Sequence, residues 1–175
     1  ELLIAVQRHA TSKLPDNDLF QILYFGFRGE ALPSIGAVSR LSLTSRVADE
    51  KYGWCLDVAH GQVAEPRPAA CALGTRIEIT DLFRSIPARL KFLKTERTEA
   101  GQCVDVVRRL AMCRPDISFQ LSDNGKSVFS LPAQPLSDKG VRQRLSALVG
   151  QTFAQEAIAI DAQRDEMHLT GLAGL

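Results

Sequence analysis

Segments with a two-residue hydrophobic period and segments with a 3.6-residue period follow one another along this chain in no fixed order. That irregularity constrains the fold more than any other feature. Leu41, Leu43 and Val47 alternate with Ser42, Thr44 and Arg46, which reads as a half-buried strand. A second strand is expected from Trp54 to Val58, before a turn at His60-Gly61, and a third where Ile77 and Ile79 alternate with Arg76, Glu78 and Thr80. Ile117, Phe119 and Leu121, a tight turn at Asn124-Gly125 and a return from Val128 to Leu131 make the clearest hairpin. Helical spacing is found from Glu1 to about His9 (Leu3, Val6, Gln7, Ala10) and again in a short segment running through Ile35. It returns from Ser85, a candidate cap, to Leu93, and from about Thr98 to Cys113 on Val104, Val107, Leu110 and Ala111, with Pro115 as the stop. After Pro132–Gly140, a linker by composition, Val141, Leu145 and Leu148 mark another helix that Gly150 ends, and strand-like segments lie near 157–161 and 166–171. A regular βαβ period is missing, so the expected class is α+β.

Composition narrows the setting. The 175 residues are 45% hydrophobic and 23% charged, as in folded domains rather than disordered chains. No apolar run approaches the roughly 20 residues that span a bilayer, and no basic-then-apolar leader is seen, so no membrane role is expected. Cys55, Cys71, Cys103 and Cys113 form no CxxC pair, and His9, His60 and His168 stand at no ligand spacing from them. No metal site is expected. Four thiols without a disulfide pattern fit a reducing, cytoplasmic compartment.

Gly26-Phe27-Arg28-Gly29-Glu30-Ala31-Leu32 is the most informative segment. Two glycines that open a helix let the backbone turn and present consecutive amides, and a helix N-terminus attracts phosphate. Gly125-Lys126-Ser127 imitates the end of a P-loop, but the required first glycine falls at Gln120 and the segment lies in a hairpin. Between Arg84 and Arg114, eight basic residues face three acidic ones, a local +5 that leaves −4 for the rest of a chain of net charge +1. Arg108, Arg109 and Arg114 on this stretch are candidate contacts to a duplex phosphate backbone, without sequence readout.

Several blocks together carry a family resemblance. Arg8-His9-Ala10-Thr11-Ser12-Lys13, Gly26 to Leu32, Gly74-Thr75, Asp81-Leu82-Phe83 and Pro87-Ala88-Arg89-Leu90-Lys91-Phe92-Leu93-Lys94 stand in the order found in the MutL family of DNA mismatch repair proteins, within the GHKL ATPase superfamily. Phe25 where the family usually has leucine, and Arg84-Ser85-Ile86 where an aromatic-Asn-Thr run is common, are local departures. The resemblance implies a partial GHKL-type α/β sandwich over residues 1–135 and, from 136 to 175, the start of a ribosomal-protein-S5-like second domain. It implies ATP as the bound nucleotide, with Thr11, Ser12 and Lys13 at the opening of a lid and Gly26, Phe27, Arg28, Gly29, Glu30, Ala31 and Leu32 at the triphosphate. Thr75 matches a position that supports nucleotide binding near adenine. It further implies slow ATP hydrolysis with Mg2+, ATP-dependent homodimer closure, a mismatch-recognition partner of MutS type, and duplex DNA.

Family members carry the general-base glutamate, a magnesium-binding asparagine and an adenine-contacting loop upstream of the segment that Glu1 matches, and a second-domain lysine beyond the one that Leu175 matches. No catalytic residue is therefore assigned within these 175 residues, and this stretch alone is not expected to turn over ATP. The rival reading is a non-catalytic DNA-binding module built on the basic helices of 84–114.

Overall fold

The computed structural model describes residues 1–13 and 24–174. The polar stretch around Pro15 lies outside the described residues. Contacts divide the chain into two compact units, Glu1–Leu93 and Lys94–Leu175.

The first unit contains α1 (Leu2–Ala5), α2 (Ala31–Val38), β1 (Arg40–Arg46), β2 (Gly53–Ala59), β3 (Gln62–Val63), β4 (Arg67–Ala69), β5 (Gly74–Thr80) and α3 (Pro87–Leu90). The sheet is antiparallel in the order β3-β2-β1-β5, with β4 also paired to β2. Register places Leu41 opposite Val58 and Leu43 opposite Leu56, and these four side chains are the buried core. Fully burying side chains of this size stabilises by about 1.5–3 kcal/mol each. Leu2, Val6, Leu32 and Ile35 pack against them, so α1 and α2 cover that face. On β5, Ile79 and Ile77 stand opposite Leu41 and Leu43 but remain 46% and 49% exposed, because β5 ends the described sheet.

Two sequence expectations change here, and two short strands are added. The first helix is one turn long; of the expected face Val6 packs on the sheet, but Leu2 joins it in place of Leu3, which is exposed, and His9 already has a left-handed φ of +63°. Ser85 does not cap α3. Asp81 and Phe83 are left-handed at +54° and +61°, and the turns they make deliver Ile86 to the cap position with Pro87 in the first turn. The two-residue β3 and three-residue β4 are too short to show a period.

The second unit holds α4 (Glu96–Cys113), β6 (Phe119–Asp123), β7 (Lys126–Leu131), α5 (Asp138–Val149), α6 (Gln151–Glu156), β8 (Ile158–Arg164) and β9 (Met167–Ala173). Thr95 caps α4 by accepting from the Thr98 amide at 3.3 Å, so the helix begins at Glu96, two residues before the expected start. Asn124 and Gly125 are both left-handed, as the two-residue turn between β6 and β7 requires. Ser137 caps α5, and Gly140 lets that helix lie directly on the Pro135 backbone.

The buried face of α5 carries a charge that its helical period gave no reason to expect. Arg144 is 1% exposed. Its guanidinium donates to the carbonyls of Ala111 (2.9 Å), Pro115 (3.0 Å), Ile117 (2.7 Å) and Pro132 (2.9 Å), with a longer bond to Arg114 (3.3 Å). The ring of Phe119 lies 5.5 Å below it. Burial lowers the Arg144 pKa, and Asp116 opposes that shift. Residues on both sides of Pro132–Gly140 therefore belong to one packed unit, Lys94–Leu175.

Candidate phosphate-binding site

Helix α2 is fixed at one end and open at the other. At its C-terminus the Ser39 hydroxyl, on a fully buried residue, donates to the Ile35 carbonyl at 2.6 Å. The Gly61 amide donates to Gly36 at 2.9 Å, and the Phe83 amide donates to Val38 at 2.8 Å. Three carbonyls that a helix end leaves without intrahelical donors are thus satisfied. The left-handed turn at His60-Gly61 supplies one of these donors, and Gly36 admits the close approach of Val58 on β2. The helix axis is set by the sheet.

At the other end Glu30 is the N-cap but makes no side-chain capping bond. Ala31 and Leu32 supply the first two helical amides, and Pro33, third in the helix, has none to satisfy. The positive end of the helix dipole thus faces an open cavity of about 970 Å³. Thr11, Ser12, Lys13, Gly26, Phe27, Arg28, Gly29, Glu30, Ala31 and Leu32 all line it. Lys13 and Arg28 bring cationic side chains, and the Thr11 hydroxyl accepts from the Lys13 amide at 3.2 Å. Amide donors, hydroxyls and two cations around one cavity are a donor set for phosphate oxygens.

Gly29 joins the two segments. It is left-handed at +61°, and a Cβ there would overlap the Ala10 carbonyl oxygen and lie 2.8 Å from the Ala10 nitrogen and carbonyl carbon. The glycine is required by the Arg8–Lys13 segment that packs on it, a reason that a GxxG pattern alone does not reveal. Beside this contact His9 Nδ1 lies 2.9 Å from Glu30 Oε1. Sequence reasoning used His9 and Ala10 only as part of a motif. Their separation from Gly29 and Glu30 along the chain hid the contact.

Thr75 does not line this cavity. It stands on β5, where its hydroxyl is 2.9 Å from that of Ser45 on β1. The candidate duplex contacts lie in the second unit. Arg114 holds Asp116 through two bonds of 2.8 and 2.6 Å, which raises the pKa of Arg114 and lowers that of Asp116. Arg108 is 4.0 Å from Asp105, and Arg109 is exposed on α4. Among the described residues no three His, Cys, Asp or Glu side chains gather into a metal site, and no helix is long and apolar enough to cross a membrane.

No family model matches the chain. It is 52% identical over 177 aligned positions to the DNA mismatch repair protein MutL of Paramagnetospirillum magneticum, a match covering 100% of this chain and 29% of the relative. The corresponding MutL of Bradyrhizobium diazoefficiens is 50% identical over 99% of this chain and 29% of its own length. The chain therefore spans about 29% of the length of the curated relatives it matches. Among solved structures, the Aquifex aeolicus MutL ATPase domain complexed with ADP superposes with a TM-score of 0.65 at 30% identity, covering 76% of this chain and 52% of that one. By identity along its whole length and by the fold of its structural neighbours, the chain belongs to the MutL family of DNA mismatch repair proteins.

Proposed function

We propose that this chain is the phosphate-gripping part of an ATP-dependent mismatch repair protein. One observation carries the reading. A sheet-anchored helix points its free amides into a cavity that also gathers Lys13, Arg28 and the Thr11-Ser12 hydroxyls. These residues fit a triphosphate: the amides of Ala31 and Leu32 would hold phosphate oxygens, and Lys13 and Arg28 would offset their charge. The nucleotide, when bound and hydrolysed, supplies the free energy for a conformational cycle. The Arg8–Lys13 segment, seated on Gly29 and Glu30, is placed to report phosphate occupancy to the rest of the protein. Thr75 would act near the base. Any Mg2+ that accompanies the triphosphate would offset part of the phosphate charge.

The wider reading follows the family. ATP binding and slow hydrolysis drive homodimer closure and coordinate a MutS-type partner on duplex DNA in the cytoplasm, with residues 1–135 in the ATPase domain and 136–175 opening the second. Nucleotide binding is the direct test. At a free ATP concentration a hundred times the dissociation constant, the melting transition of the first unit rises by the equivalent of about 2.7 kcal/mol. A melting curve indifferent to ATP, ADP and pyrophosphate sinks the reading.

The DNA-binding alternative rests on exposed Arg109 and Arg108 on α4. Replacing both with Glu is expected to weaken binding to duplexes of any sequence and to flatten the salt dependence by about two charges. An unaltered slope in filter binding at several salt concentrations would reduce α4 to a solvated face.

A further inference from the structure

The Glu30 carboxylate poses a problem for a phosphate site. It sits one residue before the amides that face the cavity, yet its side chain makes no capping bond to its own helix. Among the described residues its Oε1 is buried without a hydrogen-bond partner of good geometry, and His9 Nδ1 lies 2.9 Å from it, an ion pair when the imidazole is protonated. Left alone, a carboxylate at that position repels an incoming polyphosphate. His9 is held in place by a left-handed backbone, a conformation that histidine tolerates better than most residues. Ala10, the next residue, is locked against Gly29. The imidazole is thereby carried to the carboxylate by the same backbone contact that joins the Arg8–Lys13 segment to the phosphate loop.

We propose that His9 is a positioning residue for nucleotide binding: it draws the Glu30 carboxylate aside and masks its charge, so that the amides of Ala31 and Leu32 are left for the phosphates. The proposal rests on the phosphate-site reading above and assigns a regulating contact within it. His9 acts through Glu30 and need not touch the nucleotide.

The test is ATP binding by the full chain carrying His9→Ala, His9→Lys, Glu30→Gln or the His9→Ala/Glu30→Gln pair. His9→Ala is expected to weaken ATP binding about tenfold. His9→Lys, which places a permanent cation beside Glu30, recovers affinity to within about threefold of the parent. In the Glu30→Gln background the His9→Ala change costs less than about twofold, because no charge remains to be masked. An unchanged affinity in His9→Ala overturns the proposal. So does a tenfold loss that Glu30→Gln fails to relieve, which would mean that His9 meets the phosphates itself or only holds the backbone. If the unsubstituted chain binds no ATP, the phosphate-site reading fails separately. The contact is then judged by amide exchange over residues 26–32 in the free chain. Faster exchange in His9→Ala and in Glu30→Gln, with no further increase in the pair, supports it; equal exchange in all four overturns it.

Discussion

Gly29→Val abolishes detectable nucleotide binding, a loss of at least about a hundredfold, or about 2.7 kcal/mol. Two effects add. A β-branched residue at a φ of +61° is strained by roughly 1–3 kcal/mol, and its Cβ cannot coexist with the Ala10 backbone. The clash is with main chain, which has no rotamer to yield. Either the phosphate loop or the Arg8–Lys13 segment must move, and the cavity depends on both. Gly29→Ala already introduces the offending atom and is expected to cost most of the same affinity. The measurement is a titration with a fluorescent ATP analogue. Emission from Trp54, the chain's one tryptophan, confirms that the β-sheet of the first unit is intact. Wild-type affinity in the valine variant would mean that phosphate does not bind between these segments.

Arg144→Met unfolds the second unit or leaves it without fixed packing. The Ala111 carbonyl, in the last turn of α4, would ordinarily accept from the amide four residues on, but that residue is Pro115, which has none. Arg144 supplies the missing donor. Ile117 and Pro132 depend on the same guanidinium, whereas Pro115 retains a bond from the Gln134 amide at 2.7 Å. Each orphaned buried carbonyl costs about 1–3 kcal/mol, so the three together remove at least about 3 kcal/mol. Arg144→Lys keeps the charge but offers three donors from one point, and is expected to recover only part of the loss. Hydrogen exchange over residues 94–174 during denaturant titration checks both, with Trp54 emission as the reference for the first unit. A methionine variant as protected as the parent would show that these carbonyls find other donors.

What was legible in the sequence was local. The Asn124-Gly125 hairpin and the strands at Leu41, Trp54 and Ile77 were readable because a turn residue or a two-residue period announces itself within a few positions. The glycine-flanked loop that opens α2 was readable because glycine spacing and a helix start are also local. What escaped depends on contacts between distant positions. Arg144 falls at i+3 from Val141, within the apolar stripe of its helix, but nothing nearby in the sequence signals the ring of carbonyls that receives its charge. Nothing in Gly29 itself says that Ala10 will lie on it, and the His9–Glu30 pair is the same case. The start of α3 was misplaced for a smaller reason: two left-handed residues, Asp81 and Phe83, used up the turns that Ser85 would have needed.

The ring around Arg144 has a consequence for how this part of the protein can change over evolutionary time. Every acceptor in it is a main-chain oxygen, present whatever side chain the residue bears. Ala111, Ile117 and Pro132 can therefore be exchanged without breaking the ring, provided the backbone path survives. Substitutions at these positions would not need to be matched by a change at Arg144, and paired variation would leave little trace of the contact. Conversely, a graft of α5 into a related scaffold would carry its stabilising centre with it, needing from the host a backbone shape and not a set of side chains.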